Sequence, residues 1–215
     1  MVIVMIMGIL GICGRMGNKI FEFYRNSFDV VGIDIKQHPN VKTYAHIEDI
    51  KNLDVLVDFS SIASKELLIE AMKRKIPIIS GTTGYEMSEI DELNKLAISF
   101  NTKFYWSSNF AKGIKLFKKL ITECNKEFEI FDFVEIHAAT KKDAPSGTAR
   151  MLAAGLNISE DKIQSLRLHQ APAIHELIFA SDYERVIIRH EVINTQAFIL
   201  GFDDQLNQLL GGILC

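Results

Sequence analysis

The segment GICGRMG, Gly11 to Gly17, follows the apolar run Val2 to Leu10 and leads into a helix-favouring stretch, Met16 to Arg25. A buried strand, a glycine-rich turn and a helix in direct succession limit the fold more than any other feature of the chain. The glycines allow a tight turn and close backbone approach, and a helix N-terminus behind them accepts an anion such as a pyrophosphate. Such a turn alone is a weak signal, so its surroundings decide. Val30 to Ile35, Asp54 to Phe59, Ile76 to Ser80 and Lys103 to Trp106 read as further strands, with helices at Ser64 to Lys73 and about Ser88 to Ser99. Strands alternating with helices of this length predict an α/β fold with a Rossmann-like, doubly wound parallel sheet. Asp34 ends the second strand, where an acid takes the adenosine ribose hydroxyls; the plainer alternative is a strand-end turn residue.

The character changes after Ser107. Gly113 to Lys126 carries Ile114, Phe117, Leu120, Ile121 and Cys124 on one side and Lys115, Lys118 and Lys119 on the other, the pattern of an amphipathic helix. Ile130 to His137, Leu177 to Ala180, Val186 to His190 and Gln196 to Leu200 read as strands with short connections. They predict a smaller α+β domain with a mixed sheet. The expected division is residues 1-109, completed by 201-215, as a dinucleotide-binding domain, and 110-200 as a substrate-binding and oligomerisation domain.

The densest chemistry lies between the two halves of that second domain. His137 ends a strand-like run, Lys141 follows four residues on, and Ser146, Gly147 and Thr148 precede the helix-favouring Ala149 to Leu156. An imidazole exchanges protons near neutral pH, a lysine donates a proton or pairs with an acid, and a Ser-Gly-Thr helix N-terminus cradles a carboxylate or phosphate. Taken singly these are a strand-end histidine, a surface lysine and an N-cap; together in one short loop they read as an active site.

Size and composition exclude several classes. At 215 residues the chain can build a sizeable core, and 48% hydrophobic with 24% charged residues is ordinary for a globular protein. A formal charge of -3 gives no reason to expect nucleic acid or an anionic membrane as partner. Three cysteines, Cys13, Cys124 and Cys215, are odd in number and widely spaced, which fits a reducing compartment. The apolar N-terminus lacks a basic region and a cleavage site and is too short to span a bilayer, so it reads as a first strand and the protein as cytoplasmic. His38, His46 and His169 read as loop residues, His175 and His190 as packed strand histidines. No His, Cys, Asp or Glu pair shows metal-ligand spacing, so no metal is expected.

The string EIHAATKKDAPSGTA, Glu135 to Ala149, resembles the signature E-x-H-H-R-x-K-x-D-A-P-S-G-T-A of the 4-hydroxy-tetrahydrodipicolinate reductase (dihydrodipicolinate reductase) family. GICGRMG, VDFS at Val57 to Ser60, GTTG at Gly81 to Gly84 and SSNFAKG at Ser107 to Gly113 resemble the same family in the same order, as do SLR at Ser165 to Arg167, His175, Phe179, Glu184, His190, Phe198 and Gly201. The resemblance implies hydride transfer from NADH and/or NADPH to a cyclic dicarboxylate imine in lysine and diaminopimelate biosynthesis, in a homotetramer. It implies His137 and Lys141 as catalytic residues, and Gly147 and Thr148, with Ser146, as the grip on a substrate carboxylate. Gly11, Ile12, Cys13, Gly14, Arg15, Met16 and Asp34 would hold the coenzyme, with Gly81, Thr82, Thr83, Ser107, Ser108, Asn109 and Phe110 at its nicotinamide end. The chain departs from the pattern where Ala138 and Ala139 stand for a histidine and an arginine. Lys115, Ala111 and Thr195 replace an asparagine, a serine and an arginine, and His169 and Ala173 replace two glycines. Two alternatives therefore stand beside the reductase reading: an impaired member that binds coenzyme, and a Rossmann oxidoreductase acting on another small acid.

Overall fold

The structure is a computed structural model that describes residues 5–211. The chain divides into two compact units, Met1–Ser108 with Phe202–Cys215, and Asn109–Gly201.

The first unit is a six-stranded parallel sheet of order β3-β2-β1-β4-β5-β6. Its strands are β1 (Ile6–Leu10), β2 (Asp29–Ile33), β3 (Thr43–Tyr44), β4 (Val55–Asp58), β5 (Ile78–Ser80) and β6 (Phe104–Trp106), joined through α1 (Arg15–Tyr24), α2 (Lys65–Lys73) and α3 (Met87–Ser99). Of the expected first strand, Val2, Ile3 and Val4 lie outside the described residues. β4 is buried along its whole length because helices cover both faces of the sheet, so its sequence VLVD shows no polar alternation. Leu10, Ile33, Leu56 and Ile78 pack with Leu68, Ala71 and Met72 of α2 and Ile90, Leu93 and Ala97 of α3. The strand order reverses between β1 and β4, and the carboxyl ends of these two strands flank the crevice in which open α/β sheets take their ligands.

The second unit is a four-stranded mixed sheet of order β10-β9-β7-β8. It comprises β7 (Glu129–Ala138), β8 (Ile163–Leu168), β9 (Ala173–Ala180) and β10 (Arg185–Val192), with α4 (Lys112–Glu127) and α5 (Gly147–Gly155). β8 runs parallel to β7, while β9 is antiparallel to both β7 and β10. Ile114, Phe117 and Ile121 of α4 and Ala149, Leu152 and Ala153 of α5 close over Phe133, Leu177 and Phe179 on one face. From the strands, Leu166, Leu168 and Ile187 remain exposed.

One expected strand is a helix. Gln196 to Leu200 belongs to α6 (Gln196–Leu209), and the division between the units falls within it. Four apolar residues, Ala197 to Leu200, fit a strand or a helix equally well. The helical period shows only when the segment is followed further, with Ile199, Phe202, Leu206 and Leu209 buried. Asp203 of α6 accepts a hydrogen bond from the Tyr24 hydroxyl at 2.6 Å, and Phe202 meets the Tyr24 ring edge-on. Lys103 donates to the Leu209 carbonyl at 2.8 Å. Among the described residues no helix is long and apolar enough to cross a membrane.

Candidate active site

In the first unit the glycine-rich turn is shaped by close contacts that a side chain would forbid. Gly11 has φ +80°, donates to the Ile33 carbonyl at 2.9 Å, and a Cβ there would lie 2.6 Å from the Phe59 carbonyl oxygen. A Cβ on Gly17 would collide with the Gly11 carbonyl oxygen, so α1 sits directly on the turn. Gly14 caps α1 with no side-chain hydrogen bond, and the first helical turn carries no acid. That leaves the helix N-terminus available to an anionic group from outside. Asp34 closes the other side: Oδ2 accepts from the Cys13 amide at 3.0 Å and Oδ1 from the Lys36 amide at 3.1 Å. Gly11, Gly14, Asp34, Ile35, Ser60 and Ser61 line a groove of about 310 Å³ at this edge. These features fit a dinucleotide: close backbone approach, a helix N-terminus and a carboxylate stand together. The Ile12 side chain is fully buried, which leaves its backbone alone for a ligand, whereas Arg15 is exposed and Met16 half-buried.

The loops beyond β4 and β5 are tied to one buried carboxylate. Asp58 accepts from Ser80 Oγ at 2.6 Å, and from Ser60 through its hydroxyl at 2.5 Å and its amide at 3.1 Å. Thr82 joins the network, accepting from the Ser60 amide at 2.9 Å, while the Trp106 indole donates to the Thr82 carbonyl at 2.8 Å. Gly81, Thr82, Thr83, Ser107 and Ser108 therefore stand beside a braced strand edge, with Thr83 exposed and Thr82 buried. Asn109 and Phe110 fall in the second unit. There Asn109 donates to Thr148 Oγ1 at 3.3 Å and accepts from the Ala111 amide at 3.0 Å, and the Phe110 side chain is buried.

In the second unit three neighbouring strands bring chemistry to one point. Glu135 and His137 share a face of β7 by the two-residue strand period. The register sets Arg167 of β8 opposite His137 and His175 of β9 opposite Glu135. Glu135 Oε2 contacts His137 Nδ1, and Glu135 Oε1 accepts from Arg167 at 2.7 Å. The His175 ring meets the His137 ring edge-on at 5.4 Å and stacks on His190 at 6.5 Å. Lys141, on the loop beyond β7, pairs with Asp143 at 2.9 Å. Ser146 caps α5, accepting from the Ala149 amide at 3.2 Å, and its hydroxyl lies 3.4 Å from His175 Nε2. Around Gly147 a Cβ would meet no atom within 4 Å, so the N-terminus of α5 has room for a ligand group.

The electrostatics follow from this packing. Burial would push the Glu135 carboxyl up, but hydrogen bonding and the positive charge of Arg167 outweigh it and hold the group below the usual carboxylate range. Burial lowers His137, aided by Lys141 and Arg167, and Glu135 works in the opposite direction. His175, almost fully buried, is pushed down to about 3 by burial and then by His137, and stays neutral at physiological pH. Donor atoms of Glu135, His137 and His175 lie within 4.8 Å of one another, a grouping that no spacing in the sequence discloses. Arg167 already neutralises Glu135 and Lys141 adds a second positive charge, which opposes a divalent cation.

The structure brings His137, Lys141 and Ser146 to one end of the second unit, beside Glu135, Arg167 and His175, to which the sequence reading assigns no role. The signal for Glu135 was its position two residues before His137 on the same strand. Arg167 and His175 become neighbours only through strand register, which residue spacing does not carry. A second cavity, about 360 Å³, is lined by Asn125, Glu129, Asn157 and Lys162 near the start of β7, away from this group.

Comparison with known proteins shows the family and the fold. Residues 5–110 match the family model for the dihydrodipicolinate reductase N-terminus, and residues 113–211 that for its C-terminus. The chain is 32% identical over 218 residues to 4-hydroxy-tetrahydrodipicolinate reductase of Rickettsia peacockii, covering 90% of this chain and 88% of that one. Against the protein of the same name from Caldanaerobacter subterraneus the figures are 31% over 220 residues, 89% and 87%. Among solved structures, dipicolinate-bound dihydrodipicolinate reductase from Paenisporosarcina sp. TG-14 superposes with a TM-score of 0.80 at 21% identity, over 97% of this chain and 96% of that one. Aspartate dehydrogenase from Thermotoga maritima shares the fold at a TM-score of 0.62 and 15% identity, over 95% and 96%. With both halves matched in order and relatives aligned over nearly the whole length, the chain belongs to the dihydrodipicolinate reductase family.

Proposed function

We propose that this protein catalyses the NAD(P)H-dependent reduction of 4-hydroxy-tetrahydrodipicolinate to tetrahydrodipicolinate, the lysine and diaminopimelate pathway step of its family. The observation that carries the reading is the convergence of His137, Lys141 and the N-terminus of α5 at one end of the second unit's sheet. Bound nicotinamide coenzyme supplies a hydride to the ring. His137 delivers the accompanying proton, and the substrate hydroxyl departs as water, so one hydride and one proton balance the change. Lys141, released from Asp143, pairs with a substrate carboxylate and offsets its charge. The amides of Gly147 and Thr148, with the Ser146 and Thr148 hydroxyls, hold a carboxylate against the positive end of α5. Fixing a cyclic dicarboxylate from two sides orients the reacting carbon and removes the entropic cost of a chance encounter.

The unit containing Gly11 and Asp34 is proposed to bind the coenzyme, and the unit containing His137 to bind substrate and to oligomerise. The Asp34 carboxylate favours ribose hydroxyls and repels a 2′-phosphate, while Lys36 and Arg15 partly offset that repulsion. Both NADH and NADPH are therefore expected to bind, NADH at least as tightly. A homotetramer is supported by exposed Leu166, Leu168 and Ile187 on the sheet of the second unit, apolar side chains that a partner copy would cover. A cytoplasmic location is supported by the unpaired, half-buried Cys13 and Cys124.

A second reading, a member that binds coenzyme without turnover, is favoured by Ala138 and Ala139, which remove two polar groups beside His137. A coupled assay with freshly generated 4-hydroxy-tetrahydrodipicolinate separates the two. Loss of reduced-nicotinamide absorbance supports the reductase; normal NADH binding with no turnover supports the second reading.

A further inference from the structure

Glu135 is wholly buried, yet nothing about packing a sheet against two helices requires a carboxylate there. Its two oxygens serve different partners: Oε2 faces His137 Nδ1 and Oε1 accepts from Arg167 at 2.7 Å. The same arm of Arg167 also donates to the Asp143 carbonyl at 2.5 Å, and its other arm to the Leu166 carbonyl at 2.8 Å. Asp143 in turn holds Lys141 at 2.9 Å. A continuous chain of charge-assisted contacts therefore runs from His137 through Glu135, Arg167 and Asp143 to Lys141. A buried ion pair is weak ground for a stabilising role, since desolvation offsets much of its attraction. Its geometry, by contrast, fixes orientation through a planar guanidinium that offers donors in set directions.

Resting on the reading of His137 as proton donor, we propose that Glu135 and Arg167 are its positioning residues. Glu135 holds the imidazole by Nδ1 and presents Nε2 to the substrate, and Arg167 locks that carboxylate and the Lys141 loop into one frame. The charges around His137 sharpen the point. Lys141 from the loop, Arg167 from β8 and burial beside the neutral His175 of β9 all disfavour the imidazolium; Glu135 of β7 favours it. Removing the Glu135 charge leaves His137 a poorer carrier of the proton it must deliver. None of these contacts involves Ala138 or Ala139, so the frame survives the two departures from the family pattern.

The test is the kcat–pH profile of Glu135→Gln in the full-length protein, beside wild type, Glu135→Asp and His137→Gln. An acid must be protonated, so activity falls as pH rises through its pKa. Loss of the Glu135 charge should move that alkaline limb about one to three units toward lower pH. At pH 7.5 kcat should fall roughly ten- to a hundred-fold, less than the roughly 10²- to 10⁴-fold expected for loss of the acid itself, with KM little changed. Glu135→Asp, which keeps the charge, should restore part of the rate. In wild type, proton NMR should show a downfield, exchange-protected Nδ1 proton that vanishes in His137→Gln, a readout independent of any Glu135 variant folding. An unchanged profile and rate in folded Glu135→Gln, or the absence of that proton, overturns the positioning role. Full activity of His137→Gln overturns the donor reading beneath it.

Discussion

Ser80 Oγ donates to Asp58 Oδ2 at 2.6 Å, with both residues wholly buried at the carboxyl ends of adjacent parallel strands. Because Ser60 and, through it, Thr82 depend on the same carboxylate, one side chain sets the conformation of both loops at the crevice. Replacing Asp58 by Ala takes the acceptor from the buried Ser80 hydroxyl and from the part-buried Ser60 hydroxyl, while the Ser60 amide keeps Thr82 Oγ1. Denaturant unfolding should show a loss of about 2–4 kcal/mol, and NADH affinity should fall with it. Unaltered stability would mean that solvent replaces these bonds.

The contacts of Asp34 predict coenzyme choice. Asp34→Ser should weaken NADH binding about tenfold, the loss of one charged hydrogen-bond acceptor, and should leave NADPH binding equal or improved. Calorimetric titration of both coenzymes checks this. Strong preference of the wild type for NADPH would remove the ribose role from Asp34.

His175 predicts an acid-sensitive fold. Its pKa is about 3 when folded and near 6.5 when unfolded, so between those values the unfolded chain binds a proton that the folded chain refuses. The stability it secures is full above about pH 6.5 and is lost as pH falls toward 3, on the order of several kcal/mol across that window. Urea unfolding at a series of pH values should show a shallower decline in His175→Gln than in wild type. Parallel declines would place the acid sensitivity elsewhere.

Restoring the family residues at the two alanines tests what their loss costs. Ala138 is half-buried and Ala139 exposed, both beside His137, so Ala138→His with Ala139→Arg fits without displacing core side chains. The double variant should lower KM for the dicarboxylate about tenfold, the effect of one added charge-assisted hydrogen bond, with NADH affinity unchanged. An unchanged KM would mean that this pocket has been rebuilt around other cations.

The parts of the fold legible in the sequence are those whose signal is local. The turn at Gly11 to Gly17 and the apolar runs of β1, β2, β4 and β5 declare a parallel sheet because strands covered on both faces need continuous apolar residues. β8 is not legible because Gln164, Ser165 and Arg167 interrupt its apolar pattern. The start of α6 reads as a strand because Ala197 to Leu200 carry no period of their own. At the candidate site His137, Lys141 and Ser146 stand out because they lie close in the chain, between the end of β7 and the start of α5. Glu135, Arg167 and His175 do not, because they meet through the register of three strands, a relation that residue order leaves open.

The most direct measurement compares wild type, His137→Gln and Lys141→Met in the coupled assay with 4-hydroxy-tetrahydrodipicolinate, with NADH binding followed in parallel. Turnover by wild type, its loss by roughly two to four orders of magnitude in each variant, and unchanged NADH affinity are the predicted results. Full activity in both variants would contradict the assignment of this site.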